Sequence, residues 1–133
     1  MLTQNEQLFL ELVNAARLDP RGEAERQGIA LNEGLDAGTI PDTPVQPLAA
    51  NVQIQEAAAG HSQWMLDTDT FSHTGEGGST PGDRMSTAGY PFEGVSGWGE
   101  NIALLRTTGT VDLQAAITQH HDMLYESPGH REN

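Results

Sequence analysis

The chain has 133 residues, enough for one domain with a single core and too few for two lobes around a cleft. Nineteen acidic against six basic residues give a net charge of −13, which repels phosphate backbones and anionic membrane surfaces and excludes nucleic acid as an expected partner. Cysteine is absent, so disulfides, thiolate metal sites and cysteine nucleophiles are ruled out, and no apolar run reaches the roughly 18–20 residues of a membrane span.

Met1-Leu2-Thr3 leads straight into a helix, without the basic and apolar segments of a signal peptide; a removed signal, another export route and retention inside all stay open. Thr3 and Glu6 have the spacing of a capping box, and Phe9, Leu12, Val13 and Ala16 then share one helical face. Asp19-Pro20 ends that helix and starts a short second one, with Asp19 as its cap. Residues 29–47 show little periodicity and read as a surface loop. Residues 52–67 form the next helix, with Ile54, Ala57, Ala58, His61 and Met65 on one face. Thr80 caps another short helix that has Pro81 in its first turn and ends at Gly89. Residues 96–105 are Gly-rich and then apolar, which predicts a turn followed by a short strand from Ile102 to Leu105. The last helix covers residues 111–126, with Leu113, Ala116, Ile117, His120 and Leu124 as its inner stripe, and Ser127-Pro128-Gly129 breaks it. A lone strand cannot satisfy its own backbone, so a pairing strand is expected beyond Asn133.

Several apparent motifs fail. Asp67-Thr68-Asp69 begins like a calcium loop, but Ser72 stands in place of its glycine and Gly78 in place of its bidentate glutamate. Gly77-Gly78-Ser79-Thr80 lacks the lysine of a phosphate-binding loop. The histidines say more. His73 precedes a Gly-rich loop and His130 follows a Pro-Gly helix stop, positions from which imidazoles can converge on a metal such as zinc. His61 lies on an apolar helix face, where packing is the simpler role. Of the neighbours His120 and His121, at most one can face inward. Glu100 sits between a Gly turn and an apolar stretch, so it needs a charged or donor partner, which histidines would supply.

Phe71-Ser72-His73, Gly99-Glu100-Asn101-Ile102-Ala103 and Ser127-Pro128-Gly129-His130-Arg131-Glu132-Asn133 occur in that order. Together they resemble the CAP superfamily, which includes cysteine-rich secretory proteins, insect venom antigens and plant pathogenesis-related proteins. The likeness is greatest to cysteine-free bacterial CAP domains attached to hemolysin-type calcium-binding repeats. Asn14-Ala15-Ala16-Arg17-Leu18-Asp19-Pro20, Leu31-Asn32-Glu33-Gly34-Leu35 and His61-Ser62-Gln63-Trp64-Met65 support it.

The resemblance implies an α+β fold, a CAP-type α-β-α sandwich, with residues 1–133 as a single domain lacking its C-terminal strands. It also implies a cavity of two histidines and two glutamates. By motif, His73 and His130 are the ligands of zinc or another divalent cation, and Glu100 is the first glutamate and the one candidate catalytic residue. Ser127 falls at the second glutamate's position, with Glu126 one residue away. His61, His121 and Glu126 are secondary candidates. The expected function is that of a secreted binding or interaction module for a small molecule, a lipid or a protein. One rival is a zinc-dependent hydrolase in which Glu100 activates metal-bound water. Another is a structural passenger of calcium-binding repeats. An open strand edge at Ile102 to Leu105 would favour a homodimer.

Overall fold

The computed structural model describes residues 1–94 and 97–133, so the turn expected to begin at Ser96 lies partly outside the described residues. Among those residues are six α-helices, a short 3-10 turn over Glu76–Gly78, and no strand. The helices are α1 Gln4–Leu18, α2 Pro20–Gln27, α3 Val52–Asp67, α4 Pro81–Thr87, α5 Leu113–Glu126 and α6 Pro128–Glu132. The expected α+β sandwich is thereby corrected: among the described residues every regular element is helical. Residues 102–105 carry no regular structure. A strand persists only as part of a hydrogen-bonded ladder, and no second extended segment pairs with this one among the described residues.

The chain divides into two compact units, one of Met1 with Ala50–Ile102 and the other of Leu2–Ala49 with Ala103–Asn133. In the first unit α3 packs on α4. Asn51 caps α3 by accepting from the Ile54 N–H at 3.1 Å, and the helix buries His61. Thr80 and Asp83 form a reciprocal capping box at the start of α4, which buries Pro81 and Met85. Gly89 ends this helix in the left-handed region, at φ +83°, where a side chain would be strained.

The second unit is built on α1, which packs against α5 and α2, while α5 also carries α2 and α6. The expected capping box of α1 is present, with Thr3 N–H donating to Glu6 Oε2 at 2.6 Å and Glu6 N–H to Thr3 Oγ1 at 3.3 Å. Asp19 accepts from Gly22 N–H at 3.0 Å and starts α2 at Pro20. The loop over residues 29–47 meets its backbone needs through asparagine and arginine side chains. Asn32 exchanges two bonds with the Ile40 backbone at 2.7 and 3.0 Å, and Asn14 does the same with Leu48 at 2.7 and 3.0 Å. Arg131 donates to the carbonyls of Leu31 at 3.1 Å and Tyr125 at 2.7 Å, and also to that of Glu33, joining the loop to α5 and α6.

Two details of the C-terminal region differ from expectation. The Ser-Pro-Gly break is followed by α6, because Pro128 at the first helical position restarts a helix as readily as it stops one. The most buried residues of α5 are His121 and Tyr125, while the expected Ala116, Ile117, His120 and Leu124 are half-buried and Leu113 is exposed.

Candidate functional site

A glutamate that loses most of its water must recover the lost hydrogen bonds from donors. Glu100 is in this position, with a side chain 17% exposed, and its oxygens are satisfied by two different cations or donors. His73 Nδ1 lies 2.9 Å from Oε1, and Arg84 donates to Oε2 at 2.5 Å. The histidine partner was expected from sequence; the arginine was not.

Arg84 is held by the start of α4, where the Thr80 capping box sets the first turn and Met85 anchors the inner face. Its other nitrogen, Nη1, donates to the carbonyls of His73 at 3.2 Å and Ser79 at 2.9 Å. One guanidinium thus holds the carboxylate and the backbone of the histidine that the carboxylate bonds. All six basic residues of the chain are arginines, so a planar fork with several donors was the only cation type available for this place. No local pattern marks Arg84 for this role, because its partner Glu100 lies sixteen positions away.

His61 supports the same loop from α3. It is 3% exposed, lies nearly parallel to the Trp64 ring at 5.6 Å, and its Nε2 donates to the Ser72 carbonyl at 2.8 Å. That tautomer leaves Nδ1 as a buried lone pair without a hydrogen-bond partner. Gly75 covers this nitrogen; a Cβ there would stand 2.8 Å from Ser79 Oγ, 3.0 Å from Arg84 Nη1 and 3.1 Å from His61 Nδ1. Glycine is needed here for space, not for backbone conformation.

The structure therefore brings His73, Glu100 and Arg84 together in the first unit, with His61 behind them. His130 belongs to the second unit, where its Nδ1 lies 2.8 Å from Ser127 Oγ. The serine at the second glutamate's expected position is thus the group that bonds this imidazole. Glu126 is exposed at the end of α5, and its carbonyl accepts from Arg131 at 3.3 Å.

A second cluster of histidine and carboxylates lies within the second unit. Glu23 on α2 and His121 on α5 are both buried, and Asp122 follows at the edge. Arg26 grips Glu23 through Nε at 2.9 Å and Nη2 at 2.5 Å, and Gln27 Nε2 donates to Glu23 at 3.0 Å and to Asp122 at 2.5 Å. Burial alone would raise the pKa of Glu23. The bonds from Arg26 and Gln27, with the charges of Arg26 and His121, outweigh it and hold the carboxyl below its ordinary value. Asp122 is likewise lowered, with burial opposed by Gln27, His121 and Arg26. Tyr125 is raised, chiefly by burial and then by the charge of Glu23, and its hydroxyl donates to the Pro20 carbonyl at 3.2 Å. Of these residues only His121 was singled out from sequence. Glu23 and Asp122 stand on separate helices about a hundred positions apart, and no local pattern joins them.

No helix among the described residues is long and apolar enough to cross a membrane. No curated protein and no solved structure matches the chain. The family model for CAP, the cysteine-rich secretory protein family, does match, and over residues 10–133. That span takes in all three ordered motifs, so this cysteine-free chain belongs to the CAP family.

Proposed function

We propose that the chain is a binding module in which His73, set by Glu100 and Arg84, offers one imidazole nitrogen to a divalent cation such as zinc. Membership in the CAP family supports a binding or interaction module at the coarse level. The observation that carries the finer reading is the 2.9 Å bond between His73 Nδ1 and Glu100. A carboxylate that accepts from Nδ1–H selects the tautomer whose lone pair is on Nε2, and this is how metal-binding histidines are commonly oriented. The His73 side chain is 54% exposed, so a cation can reach that nitrogen from solvent. The family motif gives His130 the same role on sequence grounds alone.

The same geometry speaks against hydrolysis. A general base must take a proton from water, but each Glu100 oxygen already accepts a bond from a positioned donor. A proton would have to be taken on the remaining lone pair of an oxygen that both keeps its donor and is held away from the substrate by it. Glu100 then acts as a positioning residue, and ligand binding without turnover is the consistent activity. The resemblance to bacterial CAP domains on calcium-binding repeats adds secretion and a small-molecule, lipid or protein ligand to this reading.

Calorimetric zinc titration tests it. His73→Ala should lose one zinc equivalent, and Glu100→Gln should weaken that equivalent about 10–100-fold, the usual effect of removing an outer-shell partner. Unchanged binding by His73→Ala would refute the assignment. Chelator-sensitive casein hydrolysis that disappears in Glu100→Gln would replace it with the hydrolase.

A further inference from the structure

We infer that Glu23, His121 and Asp122 form a divalent-cation site that shares no residue with the one proposed at His73, and that the Arg26 guanidinium is its exchangeable occupant. Two observations carry this independently. The first is the ligand set: one imidazole nitrogen and two carboxylate oxygens lie within 4.8 Å of one another on α2 and α5. The second is the state of the imidazole. His121 Nδ1 is buried, its side chain is 5% exposed, and it has no hydrogen-bond partner.

That nitrogen faces both acids, at 3.7 Å from Glu23 Oε1 and 3.6 Å from Asp122 Oδ1. Such distances are too long for a hydrogen bond. They are close to what a shared ion produces: bonds of about 2.1 Å to nitrogen and oxygen separate the two ligand atoms by roughly 3.4 Å in a tetrahedral shell. Nothing about the ring can close the gap by itself. His121 is stacked on Tyr125 at 6.0 Å and meets the edge of Phe9 at 6.4 Å, so packing fixes its plane. A buried nitrogen held 3.7 and 3.6 Å from two carboxylate oxygens leaves a gap of the size an ion bridges.

Positive charge already serves this place from the other side. Arg26 Nη2 reaches Glu23 Oε1 at 2.5 Å and Asp122 Oδ1 at 3.4 Å, the same two oxygens that would ligate the ion. The Arg26 side chain is 49% exposed, so it can withdraw into solvent without opening the helix pair. Gln27 Nε2 donates to the same two oxygens at 3.0 and 2.5 Å, so an entering cation displaces the guanidinium and turns this amide aside, and water completes its shell. A nitrogen with two oxygen donors suits zinc, or cobalt as its spectroscopic stand-in.

The experiment uses the full chain carrying His73→Ala and His130→Ala, which removes the imidazoles of the proposed CAP site and separates the fate of the two readings. Cobalt titration, followed by its visible absorption, and zinc calorimetry should still find one equivalent. Asp122→Asn in this background should weaken it at least tenfold while circular dichroism stays helical. Arg26→Ala should tighten it about tenfold, within the usual range for coupling between two ligands. Arg26→Ala should also melt lower than its parent without metal and recover with zinc. Loss of all binding in the His73→Ala/His130→Ala protein would overturn the site. So would binding that neither Asp122→Asn nor Arg26→Ala changes.

Discussion

The two units solve one problem in two ways. Each places a glutamate out of water and gives it an arginine and a histidine, Arg84 and His73 for Glu100, Arg26 and His121 for Glu23. In the first, the arginine is the more shielded partner and the histidine is exposed; in the second, the histidine is buried and the arginine half in solvent. The exposed imidazole reaches its carboxylate at 2.9 Å and keeps half of its side chain in solvent. The buried imidazole, clamped between aromatic rings, stops at 3.7 Å and keeps an unsatisfied nitrogen inside. The same three residue types therefore have opposite uses. What differs is which partner packing has immobilised.

If that contrast is right, the largest effect belongs to Arg84→Ala. Its guanidinium is only 11% exposed and bonds Glu100 and two backbone carbonyls. Removing it strands a shielded carboxylate, and about 3 kcal/mol of stability should be lost. Arg26→Ala removes a partner already half in water, and about 1 kcal/mol is expected. Urea denaturation of the two variants orders them, and an equal or larger loss for Arg26→Ala would break the comparison.

A smaller effect sharpens it. Gly75→Ala puts a Cβ within 3.1 Å of Ser79, Arg84 and His61 at once. Overpacking of this kind costs about 1–2 kcal/mol. It should also weaken zinc at His73 while leaving cobalt binding at Glu23 and His121 as it was. Calorimetry and cobalt absorption on this one variant read both sites, and a matching loss at each would show that they are not independent.

The smallest effect concerns pH. Asp83 accepts from the Thr80 hydroxyl at 2.7 Å and the Thr80 N–H at 2.9 Å, and these bonds, the hydroxyl first, hold its carboxyl below the ordinary range. A lowered native pKa means that the cap's contribution is complete above the unfolded value near about pH 4 and fades as pH falls through the native one. Amide protection in the first turn of α4, taken relative to the intrinsic exchange rate at each pH, should fall across that window from about pH 5 downward. Thr80→Ala should remove the dependence. A pH-insensitive first turn in the parent protein would show that Arg84 does not depend on this cap for its position.

The sequence by itself determined the five longer helices, though not the short α6. Thr3 with Glu6, Asp19 before Pro20, Asn51 before residues 52–67, and Thr80 with Asp83 all act within one helical turn, and an interaction that short can be read along the chain. The ordered motifs likewise marked His73, Glu100 and His130, and the family match spans all three. Only the tertiary structure decided what these groups touch. Ile102 to Leu105 looked like a strand, yet a strand depends on a partner that local pattern cannot supply. His120 and His121 are one residue apart, and packing against Phe9 buried His121 the more deeply. Arg84 on Glu100 spans sixteen positions, and His121 beside Glu23 spans nearly a hundred. Such pairings arise when whole helices dock, because the free energy of satisfying a buried charge depends on which surfaces meet and not on which residues are neighbours in the chain.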